Sequence, residues 1–245
     1  MKKISDRIFY VGVNDDDKVL FEGLWPLPAG VSYNSYVVAD EKVALIDTVE
    51  SGFEEEFLEN VREAAGGRAL DYLVVNHMEP DHSSLITFIL EEYPDLKILA
   101  NAKTLPMLKG YHDVPEERVQ IIAEGEAVSL GSCSLRFFMA PMVHWPEVMV
   151  SYDTHDKVLF SADAFGKFGA LAHDEEWACE ARRYYFNICG KYGVQVQALL
   201  KKLSQVDVAC ICPLHGPVLN ENLGYYLSLY NTWSLYEPES EAVFV

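Results

Sequence analysis

The stretch Asn76-His77-Met78-Glu79-Pro80-Asp81-His82 places four metal-binding side chains, His77, Glu79, Asp81 and His82, within six residues. It follows the apolar run Leu73-Val74-Val75, which reads as a buried parallel strand because it is short, rich in β-branched residues and without helical period. The loop after such a strand leaves at its carboxyl end, where α/β folds place their sites. Pro80 stiffens the loop and biases Glu79 away from helix, which argues against a plain i, i+4 helical ligand pair. Two imidazoles and two carboxylates converging on a tight loop suit one or two divalent cations.

Three more residues repeat that layout of an apolar strand followed by a donor. His144 follows Ala140-Pro141-Met142-Val143, Asp163 follows Val158-Leu159-Phe160, and His215 follows Val208-Ala209-Cys210-Ile211. Seven donors exceed the needs of one tetrahedral zinc and suit two metals, each with three terminal ligands and sharing one bridging carboxylate. Trp145, next to His144, either walls a pocket or packs as a core aromatic. Tyr184, in the pair Tyr184-Tyr185, offers a hydroxyl near the site, with aromatic packing of its helix as the competing role. His173, ten residues beyond Asp163, is a candidate for a supporting contact to a ligand. His112 and His155 are expected at the surface.

The elements that must position these donors are readable in outline. From Arg7 to Asp47 the pattern is strand-like, interrupted at Trp25 to Gly30, with strands Tyr33 to Val38 and Lys42 to Ile46. Ser51 is the expected cap of an amphipathic helix, Glu54 to Ala65, whose Phe57, Val61 and Ala64 share a face. A helix from Ser83 to Glu92, a strand from Lys97 to Ala100 and a short helix ending near Gly110 follow. An antiparallel meander is expected from Val119 to Met139, and a hairpin from Val148 to Tyr152 and Lys157 to Ser161. Beyond lie a helical region from Trp177 to Leu203 broken near Gly190 and Gly193, a strand from Val206 to Ile211, and a helix from Leu223 to Leu235. This order predicts an α/β fold of two packed sheets flanked by helices, read as one domain over residues 1–245.

Composition narrows the function classes. A net charge of -19 argues against nucleic acid and anionic membrane as partners, since both repel an acidic surface. The amino terminus lacks the apolar core of a signal peptide, and no apolar run is long enough to span a bilayer. Five cysteines without CxxC spacing do not form a disulfide framework, so a cytoplasmic location is expected, with Cys210 and Cys212 as buried thiols.

The pattern HxExDH, then a single His, an Asp in Ser161-Ala162-Asp163-Ala164-Phe165-Gly166, and a final His-Gly resembles the metallo-β-lactamase fold, an αββα sandwich. Glu79, where most of that superfamily carries His, is similar to the flavodiiron proteins, which reduce oxygen or nitric oxide at a non-haem diiron site. Phe21-Glu22-Gly23-Leu24-Trp25-Pro26, Tyr33-Asn34-Ser35-Tyr36 and Ala181-Arg182-Arg183-Tyr184-Tyr185 extend the resemblance over nearly the whole chain. It implies that His77, Glu79 and His144 hold one iron and Asp81, His82 and His215 the other. Asp163 would bridge them, together with an oxo, hydroxo or peroxo species. Flavodiiron proteins continue into a flavodoxin-like domain, which this sequence does not reach, and no phosphate-cradling loop suggests FMN. Ala242-Val243-Phe244-Val245 is either a strand of this domain or the start of another.

The resemblance to flavin-less diiron relatives of chemotaxis signalling implies a protein that binds dioxygen and reports it to a signalling partner. An oxygen or nitric oxide reductase fed by a separate flavoprotein or rubredoxin is the alternative, and a dinuclear zinc hydrolase is disfavoured by Glu79. The resemblance also implies a homodimer. Light scattering tests this, and a monomer at micromolar concentration overturns it.

Overall fold

A computed structural model describes residues 2–173 and 176–238. Strand Tyr72–Val74 lies between two parallel neighbours, Val43–Ile46 and Lys97–Ala100. Leu73 and Val74 are therefore fully buried, which is why this run carries no polar alternation. Tyr36–Ala39, Ile8–Tyr10 and Lys2–Lys3 add antiparallel on one side, and Val119–Ile121 adds parallel on the other, giving a seven-stranded sheet. The second sheet has five strands, in the order Ala127–Ser129, Ser134–Met139, Met149–Asp153, Val158–Phe160 and Cys210–Cys212. Its pairings are antiparallel except the last.

The two sheets meet face to face. Tyr36, Val38, Ala44, Ile46, Val74 and Leu99 from the first share one buried cluster with Leu135, Phe137, Met149, Val158, Phe160 and Cys212 from the second. The alternate residues Val37, Leu45, Leu73 and Ile98 point the other way, as the two-residue period of a strand requires. There they join helices Glu54–Ala64 and Ile86–Glu92, while Leu159 and Ile211 join helices Gly193–Leu203 and Leu223–Ser234. The result is a four-layer αββα sandwich. Among the described residues no helix is long and apolar enough to cross a membrane.

Several expected elements differ in detail. The strand expected from Tyr33 to Val38 is two strands, because Asn34 leaves the ladder and its side-chain amide donates to the carbonyls of Pro213 and Gly216, both at 2.8 Å. Ser51 does not cap the following helix; its hydroxyl bonds the Glu50 carboxylate instead. Val119–Ile121 belongs to the parallel sheet and not to a meander, and the helix Thr104–His112 runs past Gly110. The strand near the last donor is Cys210–Cys212, later than the expected Val206 to Ile211, since Val206 and Val208 pack against the core before the ladder begins. The tail Ala242 to Val245 lies outside the described residues.

At the end opposite the donors, the turn at Asp40 ties the sheets together. Its carboxylate accepts from the Cys133 N–H at 2.7 Å and the Ser132 hydroxyl at 2.9 Å, while Lys42 N–H donates to Leu130 at 2.8 Å. Partial burial works against the charge, but the donors from Cys133 and Ser132 outweigh it and hold the carboxyl at about 2. A depressed folded-state pKa contributes stability above the unfolded value and loses it as pH falls toward about 2. Asp40→Ala should therefore destabilise the protein by about 1 kcal/mol near neutral pH, after discounting for exposure, and by less in acid. Urea denaturation at both pH values checks this, and an equal loss at both would refute the linkage.

Candidate metal centre

Strands Val43–Ile46, Tyr72–Val74 and Lys97–Ala100 run in one direction, and in the second sheet Ser134–Met139, Val158–Phe160 and Cys210–Cys212 share a direction. Their carboxyl ends meet where Met149 N–H donates to Asn76 O at 3.0 Å and the Asn76 amide reaches the Ser151 hydroxyl at 3.2 Å. All seven predicted donors emerge from these ends, and all seven are buried.

The loop carrying the first four is set by Asp47 and Pro80. Asp47, at φ 55°, accepts from the backbone N–H groups of Asn76 at 2.7 Å and His77 at 3.2 Å. Glu79 stays extended, with φ -59° and ψ 141°, as the residue before a proline should. Pro80 then opens a one-turn helix, Pro80–Ser83, holding Asp81 and His82, since proline suits a first helical position. Thr48 fixes that turn by donating twice to His82 O, at 2.8 and 2.9 Å. Ala162 at φ 50° and Phe165 at φ 67° flank Asp163, and Met142 at φ 66° precedes His144. Such left-handed non-glycine residues cost roughly 1 kcal/mol or more each and mark loops shaped for a task.

The donors divide into two groups. His77 Nε2 lies 3.2 Å from Glu79 Oε2 and 3.1 Å from Asp163 Oδ2, and His144 Nε2 lies 2.9 and 3.0 Å from the same two oxygens. In the second group, Asp81 Oδ2 is 3.4 Å from His82 Nε2 and 3.3 Å from His215 Nε2, and the two ring nitrogens are 3.0 Å apart. Asp163 faces both groups, with Oδ1 turned toward His82 at 3.6 Å and His215 at 3.8 Å. Separations near 3 Å are those of donors each about 2.1 Å from a shared ion.

Two observations test the fit to metal. Among the described residues, the buried oxygens of Asp163 and Asp81 have no donor other than the imidazole nitrogens around them, a costly state for a carboxylate unless a cation answers it. The ring orientations are also fixed. His77 Nδ1–H donates to Glu147 at 2.9 Å and His215 Nδ1–H donates to Ser32 O at 2.7 Å, which leaves each Nε2 lone pair aimed inward. Burial opposes charge on His77, but Asp163, Glu147 and Glu79 outweigh it and push its pKa well up. Burial likewise opposes charge on Asp163, and His77, His144 and His82 pull it well down. Neither group contains a thiolate.

Trp145 sits edge-on to His77, with ring centroids 5.4 Å apart, and walls a cavity of about 350 Å³ over Glu79 and Asp81. Phe21, Glu22 and Tyr33 line the same cavity, and Lys18 pairs with Glu50 at 3.3 Å on its wall. Tyr184 is fully buried, its ring 5.6 Å from His215. His173 does not join them: it is exposed and lies 3.4 Å from Asp16, because its loop turns outward after Ala170. His155 is exposed and His112 half-buried. Glu147, Asp47 and the Ser32 carbonyl escaped the sequence reading. Asp47 at the end of an apolar strand and Glu147 three residues past His144 were signals; a carbonyl carries none.

The family model described as ODP family beta lactamase matches residues 31–216. A nitric oxide reductase of Moorella thermoacetica is 32% identical over 98% of this chain and 63% of its own length. Among solved structures, the flavodiiron protein of Giardia intestinalis superimposes with a TM-score of 0.90 at 27% identity, covering 95% of this chain and 59% of that one. Rubredoxin oxygen:oxidoreductase of Desulfovibrio gigas gives 0.89 at 30% identity, over 96% and 61%. The chain thus spans somewhat under two thirds of these relatives.

Removing the Glu147 carboxylate frees the His77 ring. Glu147→Gln should lower affinity for the metal in the His77 group by roughly 10- to 100-fold and leave the His215 group filled. Competitive chelator titration with metal analysis checks this, and unchanged affinity would exclude a role for Glu147.

Proposed function

Because the chain belongs to the ODP family of beta-lactamase-fold proteins, we propose that it holds a non-haem diiron centre that reduces dioxygen or nitric oxide. His77, Glu79 and His144 would hold one iron, Asp81, His82 and His215 the other, and Asp163 both. The observation that carries this reading is Asp163, a buried carboxylate whose two oxygens face two separate donor groups. Four imidazoles and three carboxylates without thiolate suit iron in its ferrous and ferric states better than a thiolate-selected metal.

An iron pair, when bound, supplies open coordination positions for a diatomic molecule and the electrons that reduce it. The residues of the chain do the rest. Glu147 and Ser32 keep the Nδ1 protons of His77 and His215 in place, so those imidazoles need no reorientation when a ligand arrives. Glu79, Asp81 and Asp163 offset positive charge as the site is oxidised. Trp145 and Phe21 bring apolar surface to the cavity and limit water there, which strengthens these charge interactions. Electrons would come from a donor protein or a further domain, as the names of the relatives suggest for those proteins. The names of the relatives, a nitric oxide reductase and a rubredoxin oxygen:oxidoreductase, favour reduction over oxygen sensing as the first reading.

The test is iron stoichiometry followed by consumption of dioxygen or nitric oxide with a rubredoxin- or flavodoxin-class donor. Two irons per chain and repeated turnover are expected, both diminished in Asp163→Ala. A single oxidation to a long-lived coloured form without turnover would support oxygen holding instead, and uptake of zinc alone would restore the hydrolase.

A further inference from the structure

A continuous line of oxidisable rings leads from the metal cluster to the surface. It begins at Tyr230, whose hydroxyl accepts the N–H of Phe165 at 2.5 Å, two residues beyond Asp163, and whose ring stacks on Phe165 at 4.2 Å. Trp233 follows at 5.5 Å from Tyr230, then Trp177 stacked on it at 6.1 Å, Tyr226 at 4.6 Å and Tyr225 at 5.4 Å. Tyr230 and Trp233 are fully buried, Trp177 nearly so, and Tyr225 ends the line 48% exposed. Tyr226, Tyr230 and Trp233 share one face of helix Leu223–Ser234 by their four- and three-residue spacing.

We propose that this ladder is an outlet for oxidising equivalents, carrying them from the centre to Tyr225 when dioxygen arrives and donor electrons run short. This rests on the diiron reading above. Aliphatic residues would fill the same space, but only indole and phenol rings give up an electron readily, and here they form a file with no gap.

The chemistry of each rung sets the direction. With iron bound, an oxidising equivalent at the centre would be met by one electron from Trp233, with Tyr230 as the bridge between them. Indole can carry the resulting radical cation without releasing its proton. The charge then passes to Trp177, stacked on Trp233. Among the described residues Trp177 Nε1–H has no acceptor, so Trp177 keeps its proton. It takes its electron in turn from the half-buried Tyr226, whose phenol proton passes to water and is regained from water when Tyr225 reduces it. At Tyr225 the phenol sends its electron inward and its proton to water, leaving a neutral phenoxyl radical. A soluble thiol then returns a hydrogen atom, and two thiyl radicals combine as a disulfide, which closes the balance.

The experiment mixes the iron-loaded, anaerobically reduced chain with dioxygen in the absence of a donor. Freeze-quench EPR and peptide mass spectrometry then locate radicals and oxidised rings. The expected result is an organic radical, with hydroxylated or cross-linked products concentrated at Trp177, Tyr226 and Tyr225 and suppressed by added thiol. Trp233→Phe should lower the surface products severalfold and shift oxidation to Tyr184 or the ligand residues. Tyr225→Phe, at an exposed position that leaves the core intact, should move the terminal product to Tyr226. Oxidation spread equally to the exposed Tyr111 and Tyr236, or an unchanged map in both variants, would overturn the ladder alone. Failure to bind iron or to react with dioxygen would overturn the diiron reading, and the ladder with it.

Discussion

Glu79, Asp81 and Asp163 are three carboxylates buried together in one pocket, and their mutual repulsion without water to screen it is the constraint that the rest of the molecule answers. Four imidazoles meet them within ion-pair distance, yet among the described residues the oxygens of Asp163 have no donor other than those imidazoles. A buried charge of that kind destabilises a fold unless a cation completes it. Much of the surrounding architecture holds these groups together against that tendency.

The holding is done at the seam between the sheets. Asp47 and Asn76 belong to the first sheet, Met149 and Ser151 to the second, and their hydrogen bonds join the carboxyl ends of both. Asn34 does the same for the last donor loop by binding the carbonyls on either side of His215. Glu147 links the second sheet to the ring of His77. Each donor group is therefore shared between the sheets, and separating the layers would dismantle the site. The left-handed residues Asp47, Met142, Ala162 and Phe165 lie on these same loops, where their backbone aims a donor, while Glu22, Asp113, Lys157, Asn222 and Tyr236 are left-handed elsewhere.

The cavity beneath Trp145 opens onto the site, and on another side lies the aromatic packing of Tyr184, Tyr185, Tyr230 and Trp233. The first gives access from solvent to Glu79 and Asp81. The second excludes water, and the ladder gives the same packing an electronic use. Packing that is dense for stability also brings rings close enough to exchange electrons.

By itself the sequence determined the layers and marked seven candidate donors. His77, Glu79, Asp81, His82, His144, Asp163 and His215 are legible because each follows an apolar strand, and strand and helix periods state which faces are buried. The resemblance implied how the donors group around Asp163; what only the tertiary structure decided is their distances and burial, and that Glu147 and the Ser32 carbonyl orient the rings. His173 shows the limit from the other side, since spacing suggested a contact that its outward-turning loop denies. The physical reason is that periodicity encodes burial, which is local, whereas a shared ion position depends on strand register and on loop direction at positive φ. Those are set by residues such as Asn34, Asp47 and Asn76, whose hydrogen-bond partners lie in other strands.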